Sequence, residues 1–400
     1  MSEQELKVLL AVTDNPLASQ QELATLLTMS RESVAGHIMR LTHKGHILGK
    51  GYLIPQKKNI VVIGGCNLDI TGCSNHSLID ADSNPGLISQ SAGGVGRNIA
   101  ENLAHLNNYV TLISALGVDK SGDWLLEHCR RAGINMDNIV RQPNINTGTY
   151  LAINNTNGML HSAIADMTIL DSINSELLAH KHSLLRSSSM LLIEANIHSS
   201  CIEWLSKQQL STPIYADAVS ATKAVRLLPI LPYLTALKVN RDEAIAILTA
   251  ANAHRSKGNN YNIKSSHLKS LSSVQDDELA HQLIKLGVKN VLLSLGDQGV
   301  LFANQQQQIK QAIYSVTASN DTGAGDALFA AFIHGQLAAW PIDETLAFAS
   351  ACAAVTLASN AANDPDLSEA NMKRWMSQQS KQPSKQQPLP QQKKQPTKQQ

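Results

Sequence analysis

Long apolar runs, paired cysteines and regularly spaced histidines are missing from this 400-residue chain. No stretch of about 18 apolar residues occurs, so no membrane-spanning helix is expected. The polar, acidic first residues show no signal-peptide pattern. The five cysteines (Cys66, Cys73, Cys129, Cys201 and Cys352) have no C-x-x-C spacing, which argues against both a disulfide framework and a zinc site. None of the fourteen histidines forms an H-x-x-x-H pair, and His180-Lys181-His182 reads as solvated helix surface. What remains is a chain expected to be cytoplasmic, with ordinary globular composition at 43% hydrophobic and 16% charged. Its length suffices for two or three units.

The formal net charge of +1 conceals three unlike segments. Residues 1–58 hold seven Lys/Arg against five Asp/Glu, residues 59–376 hold 21 against 27, and residues 377–400 hold five Lys and no acid. The mildly acidic centre argues against nucleic acid as its substrate. The tail of Gln, Lys, Pro and Ser has too little apolar surface to offset the entropy of ordering, so residues 377–400 are expected to be disordered. The polar stretch 252–275 reads as a surface insertion, and 305–308 as a hairpin turn.

Residues 1–58 form a separate unit. Leu6, Leu9 and Leu10 fall at helical spacing, as do Leu23, Leu26 and Leu27 after an N-cap candidate at Ser19. A third helix would turn Val34, Ile38 and Leu41 inward and expose Arg31, Ser33, His37 and Arg40. Residues 44–54 read as two short strands crossing at Gly-Lys-Gly. Three helices and a β-wing resemble a winged helix-turn-helix of the kind found at the N-terminus of many bacterial regulators. That likeness implies Arg31, His37 and Arg40 in the major groove and Lys44 and Lys50 near phosphates. The alternative is a winged helix used only for protein contacts. Residues 45–50 fail as a Walker loop, being one residue short with no Ser or Thr following.

From Asn59 the pattern becomes α/β. Ile60-Val61-Val62-Ile63 is a continuous apolar run, as in a parallel strand buried on both faces. Asn67 and Asp69 follow it, beyond the strand's C-terminal end, where open α/β sheets bind ligands. Similar runs at 110–116, 190–193, 213–216, 236–239 and 291–295 predict a three-layer α/β domain with a parallel central sheet. Residues 70–91 read as polar and irregular. Segments 150–154 and 159–163 flank the hairpin signal Asn155-Thr156-Asn157-Gly158, and these strands would suit a small β-lid.

Three motifs carry chemistry. Asn320-Asp321-Thr322-Gly323-Ala324-Gly325-Asp326 leads into an apolar helix, so consecutive N–H groups meet at a helix N-terminus that favours an anion, with a carboxylate beside them. Phosphoryl transfer to an alcohol needs that pairing; a plain Gly-rich turn is the alternative. Ser91-Ala92-Gly93-Gly94-Val95-Gly96-Arg97-Asn98 opens a second helix, with glycines admitting close backbone approach and Asn98 offering donor and acceptor. It fails as a dinucleotide fingerprint, since the third glycine is absent and no strand leads directly into it. Asn240 and Glu243 would share one face at a strand end, able to order magnesium-bound water or to form a capping box.

Taken together, the set resembles the ribokinase-like (PfkB) carbohydrate and nucleoside kinases over residues 59–375. The resemblance implies that Asp326 is the base and that Gly323, Ala324 and Gly325 form the anion hole. It implies that Asn67, Asp69, Gly94 and Asn98 hold a sugar, and that Asn240 and Glu243 serve magnesium, through water, and the phosphates. Ser294, Gly296 and Gly299 would border ATP. A narrower likeness to pseudouridine kinases rests on 81–86, 93–100, 217–223 and 363–368. There Lys223 would donate to a uracil carbonyl or stand as a surface lysine. Many ribokinase-like enzymes have Asp at the position of Asn320, in a monovalent-cation loop, so potassium activation stays open. The resulting expectation is an ATP- and magnesium-dependent kinase for the 5′-hydroxyl of pseudouridine or a related nucleoside, homodimeric through its lid. The alternatives are a ribose or hexose kinase, and a ligand-sensing transcription regulator built on a kinase fold.

Overall fold

The computed structural model describes residues 1–16, 18–48, 58–257, 273–319, 322–359 and 361–379. Asn320, Asp321, Lys50 and most of the expected wing and tail lie outside these residues.

Three helices, Glu3–Asp14, Gln20–Leu27 and Arg31–His43, open the chain. The side chains of Ser2, Ser19 and Ser30 cap their N-termini, the first two with reciprocal Glu5 and Glu22 bonds. Val8, Ala11, Val12, Leu23, Ala24, Val34, Ile38, Leu41 and Ile47 form their core. The inward stripe of the third helix is as its sequence predicts. That of the first is not: Leu6 and Leu10 are exposed, and so is Leu26 of the second. Glu5, Val8, Ala11 and Val12 satisfy helical spacing as well as the leucines do, and the small Ala11 and Ala24 let the helices approach closely. Ser33 and His37 are half-buried rather than exposed. Residues 44–48 are turn and bend instead of the expected strand.

The second unit is a three-layer α/β fold. Among the described residues its sheet has nine strands, in the spatial order Gln308–Gln311, Val300–Asn304, Asn290–Ser294, Leu234–Asn240, Ile214–Asp217, Met190–Glu194, Ile60–Ile63, Val110–Ile113 and Ile134–Asn135. The last seven are mutually parallel; Val300–Asn304 runs antiparallel to its neighbour Asn290–Ser294, and Gln308–Gln311 antiparallel to Val300–Asn304. Alternate residues feed opposite layers: Val61 and Ile63 join one core, Ile60 and Val62 the other. The first core is covered by helices such as Ser199–Lys207 and Asp276–Lys285, the second by Val95–His105, Ala324–Leu337 and Ile342–Ala358. No described helix is long and apolar enough to cross a membrane.

A four-stranded lid, ordered Gly86–Gly93, Asn67–Ser74, Thr149–Asn154 and Leu160–Asp166, stands apart from this sheet. Stretch 70–91, expected to be irregular, supplies much of two antiparallel strands. Six successive exposed residues from Gly86 erase the alternation that would have marked a strand. One of these strands leads directly into Gly94 and its helix, contrary to the sequence reading. Both predicted hairpins form, at 155–158 and 305–308. The run 110–116 splits at Ser114, after which Ala115–Gly117 pairs with Val140–Gln142. Helix Arg241–Lys257 continues into the expected insertion, and Ser377–Gln379, expected to be disordered, end helix Glu369–Gln379.

Candidate active site

The C-terminal edge of the parallel strands gathers the motifs. Strand Ile60–Ile63 leads through Gly64-Gly65-Cys66 into Asn67, whose Nδ2 donates to Asp69 Oδ1 at 2.6 Å. Gly93 pairs with Asn67 across the lid, and a Cβ there would sit 2.2 Å from the Asp69 carboxylate. Gly94 adopts φ +100°, and its Cβ would lie 2.4 Å from Gly65 O and 3.0 Å from Asn67 Oδ1. Only glycines permit this closeness. Burial pushes the Asp69 carboxyl up, against the bond from Asn67.

Helix Val95–His105 starts with Arg97 N–H on Gly65 O at 2.9 Å. The Arg97 side chain is buried and fully engaged. Nη1 meets Glu101, Nη2 donates to Ala92 O at 2.7 Å and Asn363 Oδ1 at 3.0 Å, and Nη2 also meets Asn98 Oδ1. With its oxygen taken, the Asn98 amide must turn Nδ2 outward, and that group donates to Asp326 Oδ2 at 2.7 Å. Two signature motifs 228 residues apart thus meet in one hydrogen bond.

Asp326 is buried in the first turn of helix Ala324–Leu337. Gly323 precedes that helix at φ +87°, where a Cβ would lie 2.1 Å from Ala362 O. Gly323 at the N-cap has no side chain to offer, and the first-turn amides of Ala324, Gly325 and Asp326 lie at the positive end of the dipole. Burial lifts the Asp326 carboxyl to about 7; Asp217 adds to this, while Lys238, Asn98 and Arg97 oppose it. An oxygen acid poised near neutrality beside an anion cradle suits a general base.

Residues 57–369 match the pfkB family of carbohydrate kinases. The chain belongs to that family. It is 34% identical over 373 residues to the "uncharacterized sugar kinase YeiI" of Escherichia coli K12, covering 93% of this chain and 98% of that protein. It is 33% identical to the pseudouridine kinase of the same organism, over 79% and 96% of the two. In fold it resembles Arabidopsis thaliana ribokinase complexed with ribose and ATP, with TM-score 0.65 and 21% identity over 80% of this chain and 99% of that one.

The remaining predicted residues of the kinase line the same sheet edge. Asn240 and Glu243 form the capping box: Asn240 N–H donates to Glu243 Oε2 at 2.8 Å, Nδ2 to Oε1 at 2.9 Å, and Glu243 N–H returns to Asn240 Oδ1 at 2.9 Å. Burial raises the Glu243 carboxyl, and Lys238 opposes the rise. Ser294 pairs in register with Asn240, and its hydroxyl donates to Val239 O at 3.3 Å. The turn Gly296–Gln298 and Gly299 follow it. Lys223 is half-buried with Nζ on Asn196 Oδ1, so it is not a free surface lysine. Among the described residues no cluster of three or more His, Cys, Asp or Glu could hold a metal ion.

Three ionisable groups, Glu194 and Asp217 buried and Lys238 nearly so, were not assigned roles from sequence. Lys238 Nζ lies 2.9 Å from Asp217 Oδ2. Glu194 takes the backbone N–H groups of Gly65 at 2.6 Å and Asn196 at 2.7 Å, and burial pushes its carboxyl up to about 7. Glu194 and Asp217 end apolar strands and Lys238 lies two residues before the end of another, the sequence signal that could have drawn attention to them.

Proposed function

We propose that the kinase transfers the γ-phosphoryl group of ATP to the 5′-hydroxyl of pseudouridine. The observation that carries this reading is Asp326, hydrogen-bonded to the substrate-motif residue Asn98 and placed among the first-turn amides. In that arrangement Asn67, Asp69, Gly94 and Asn98 hold the sugar and Lys223 faces the base. Asp326 accepts the hydroxyl proton, and Gly323, Ala324 and Gly325 receive the phosphoryl oxygens. The 33% identity to a pseudouridine kinase supports the acceptor. The fold neighbour is complexed with ribose and ATP, which supports the donor.

Magnesium fits the donor set in part. Each Glu243 oxygen spends one acceptor position on Asn240 and keeps another for water, as suits a cation that stays largely hydrated and travels with phosphates. When bound, it would neutralise charge between the β- and γ-phosphates. Ser294, Gly296 and Gly299 border the nucleotide in this reading.

A free sugar as acceptor is the second reading, favoured by the longer match to the sugar kinase YeiI. Comparing kcat/KM for pseudouridine, uridine, adenosine, ribose and fructose separates the two. Pseudouridine should exceed ribose by a wide margin, because buried polar groups left unpaired cost about 1–3 kcal/mol each. Equal efficiency on ribose, or no turnover of any nucleoside, would favour the sugar.

The N-terminal helices form, in this proposal, a winged helix-turn-helix that binds duplex DNA. The inward Val34–Ile38–Leu41 stripe leaves Arg31 and Arg40 exposed. Arg40 Nε and Lys44 Nζ both reach the buried Glu5, at 3.4 and 2.8 Å, so part of their charge is already offset. A unit this weakly charged needs a second half-site. Leu87, Ile88 and Ile164, 74%, 77% and 69% exposed, give the lid an apolar surface for a homodimer contact. In a genomic-fragment selection, full-length Arg31→Ala/Arg40→Ala should lose fragments that wild type recovers, with kinase activity unchanged. Identical recovery by both proteins would leave the helices as a protein-contact module.

A further inference from the structure

Lys238 is the cation that the site's motifs leave unexplained. It sits near the C-terminal end of strand Leu234–Asn240, with its side chain 12% exposed, and its Nζ is 2.9 Å from Asp217 Oδ2. Asp217 belongs to the neighbouring strand, is buried, and accepts Val219 N–H at 2.8 Å on its other oxygen. That second bond fixes the carboxylate, and the carboxylate fixes the ammonium. On its other side Nζ touches the anion hole: a Cβ on Gly325 would lie 3.0 Å from Nζ and 3.5 Å from Cε. Gly325 therefore does more than free a backbone amide, since a side chain there would displace the lysine. Burial works against the Lys238 charge, but Asp217, Asp326 and Glu243 outweigh it and hold the ammonium well above its ordinary range.

We propose that Lys238 is a catalytic residue whose ammonium binds the phosphoryl group during transfer, with Asp217 as the residue that positions it. This rests on the kinase reading but not on the choice of acceptor. In the step, the acceptor O–H proton passes to Asp326 and the acceptor oxygen forms a bond to γ-phosphorus. The bond from γ-phosphorus to the β,γ-bridging oxygen breaks, its electron pair leaving on ADP. Charge grows on the equatorial phosphoryl oxygens and the leaving oxygen. A fixed ammonium in a water-poor site stabilises that charge without reorganising. The contact with Asp217 Oδ2 is an ion pair without hydrogen-bond geometry, so the carboxylate holds the ammonium by charge while its N–H groups can turn to phosphoryl oxygens as the helix amides do.

The test compares the affinity of full-length protein for magnesium ADP with and without aluminium fluoride, a mimic of the phosphoryl group in flight, by calorimetry. Wild type should bind ADP more tightly with the fluoride. Lys238→Met should lose roughly 10²-fold of that enhancement, the scale of one oxyanion donor, while its affinity for ADP alone stays within threefold. Turnover should fall by a similar factor at pH 6.5 and 8.5, because Lys238 meets the phosphoryl group itself. If Lys238→Met folds poorly, Asp217→Asn/Lys238→Gln replaces the ion pair with neutral partners and should show the same loss. An enhancement that survives in the variants overturns the proposal. So does a turnover defect that closes at pH 8.5, which would mean that Lys238 acts through Asp326. The fluoride arm needs no acceptor, so failure to phosphorylate pseudouridine leaves the lysine test readable.

Discussion

Asp326→Asn is expected to keep its fold and its ATP binding while losing about two to four orders of magnitude in turnover, the usual worth of a positioned general base. Asparagine is nearly isosteric, and its Oδ1 can still accept the Asn98 Nδ2 hydrogen bond that Asp326 accepts at 2.7 Å. Only the proton acceptor disappears. In wild type, kcat/KM should climb as pH rises through about 7, where burial places this carboxyl, and level off above it. The linked stability has a definite sign. A carboxyl raised from 3.8 to about 7 keeps its proton longer in the folded state, so wild type loses stability as pH rises through that window. Asp326→Asn lacks this loss and should be the more stable protein above pH 7, as urea unfolding at pH 5 and 8 would reveal. Turnover within threefold of wild type would remove Asp326 from the role of base.

Arg97→Met should be the most damaging substitution outside the reacting groups. Its guanidinium is buried and joins Glu101, Asn98, Asn363 and the Ala92 carbonyl. Methionine has similar length and no donors, so the change leaves the buried Glu101 carboxylate with two histidines, His128 at 3.5 Å and His105, in place of a fixed cation. Breaking a buried pair by removing one partner costs roughly 3–5 kcal/mol. It also frees the Asn98 amide to turn its oxygen toward Asp326, which no longer receives a donor. The expected result is a large drop in urea midpoint together with lower turnover under conditions where the variant is folded. Arg97→Met/Glu101→Gln should recover part of the stability, since no charge is then stranded, but not the turnover. Arg97→Lys should recover little, because an ammonium cannot reproduce the planar fork. A stability loss below about 1 kcal/mol would show that the network contributes little.

The legible parts of this protein are those where backbone geometry forces a residue type. Gly93, Gly94 and Gly323 stand where a Cβ would collide with Asp69, Gly65 or Ala362, and the motifs containing them name the site. The strand Ile60–Ile63 is legible because burial on both faces leaves an unbroken apolar run. The lid strands are not, since Gly86–Gly93 is exposed over six residues and Asn67–Ser74 half-buried over five, and neither alternates. The first helix misleads for a related reason: leucines at helical spacing compete with Val8, Ala11 and Val12 for the inward face, and tertiary packing decides. Lys238 and Glu194 acquire meaning only from partners on other segments, Asp217 for the first and Gly65 for the second. No local pattern encodes those meetings.

Phosphorus NMR of the reaction between full-length protein, magnesium ATP and pseudouridine follows the transferred group itself. The γ-phosphate signal of ATP should be replaced by that of a phosphate monoester on the 5′-oxygen, one per ADP formed, and Asp326→Asn should slow this at least a hundredfold. An unchanged ATP spectrum with active protein, or phosphate on a ring hydroxyl instead, would contradict transfer to that oxygen.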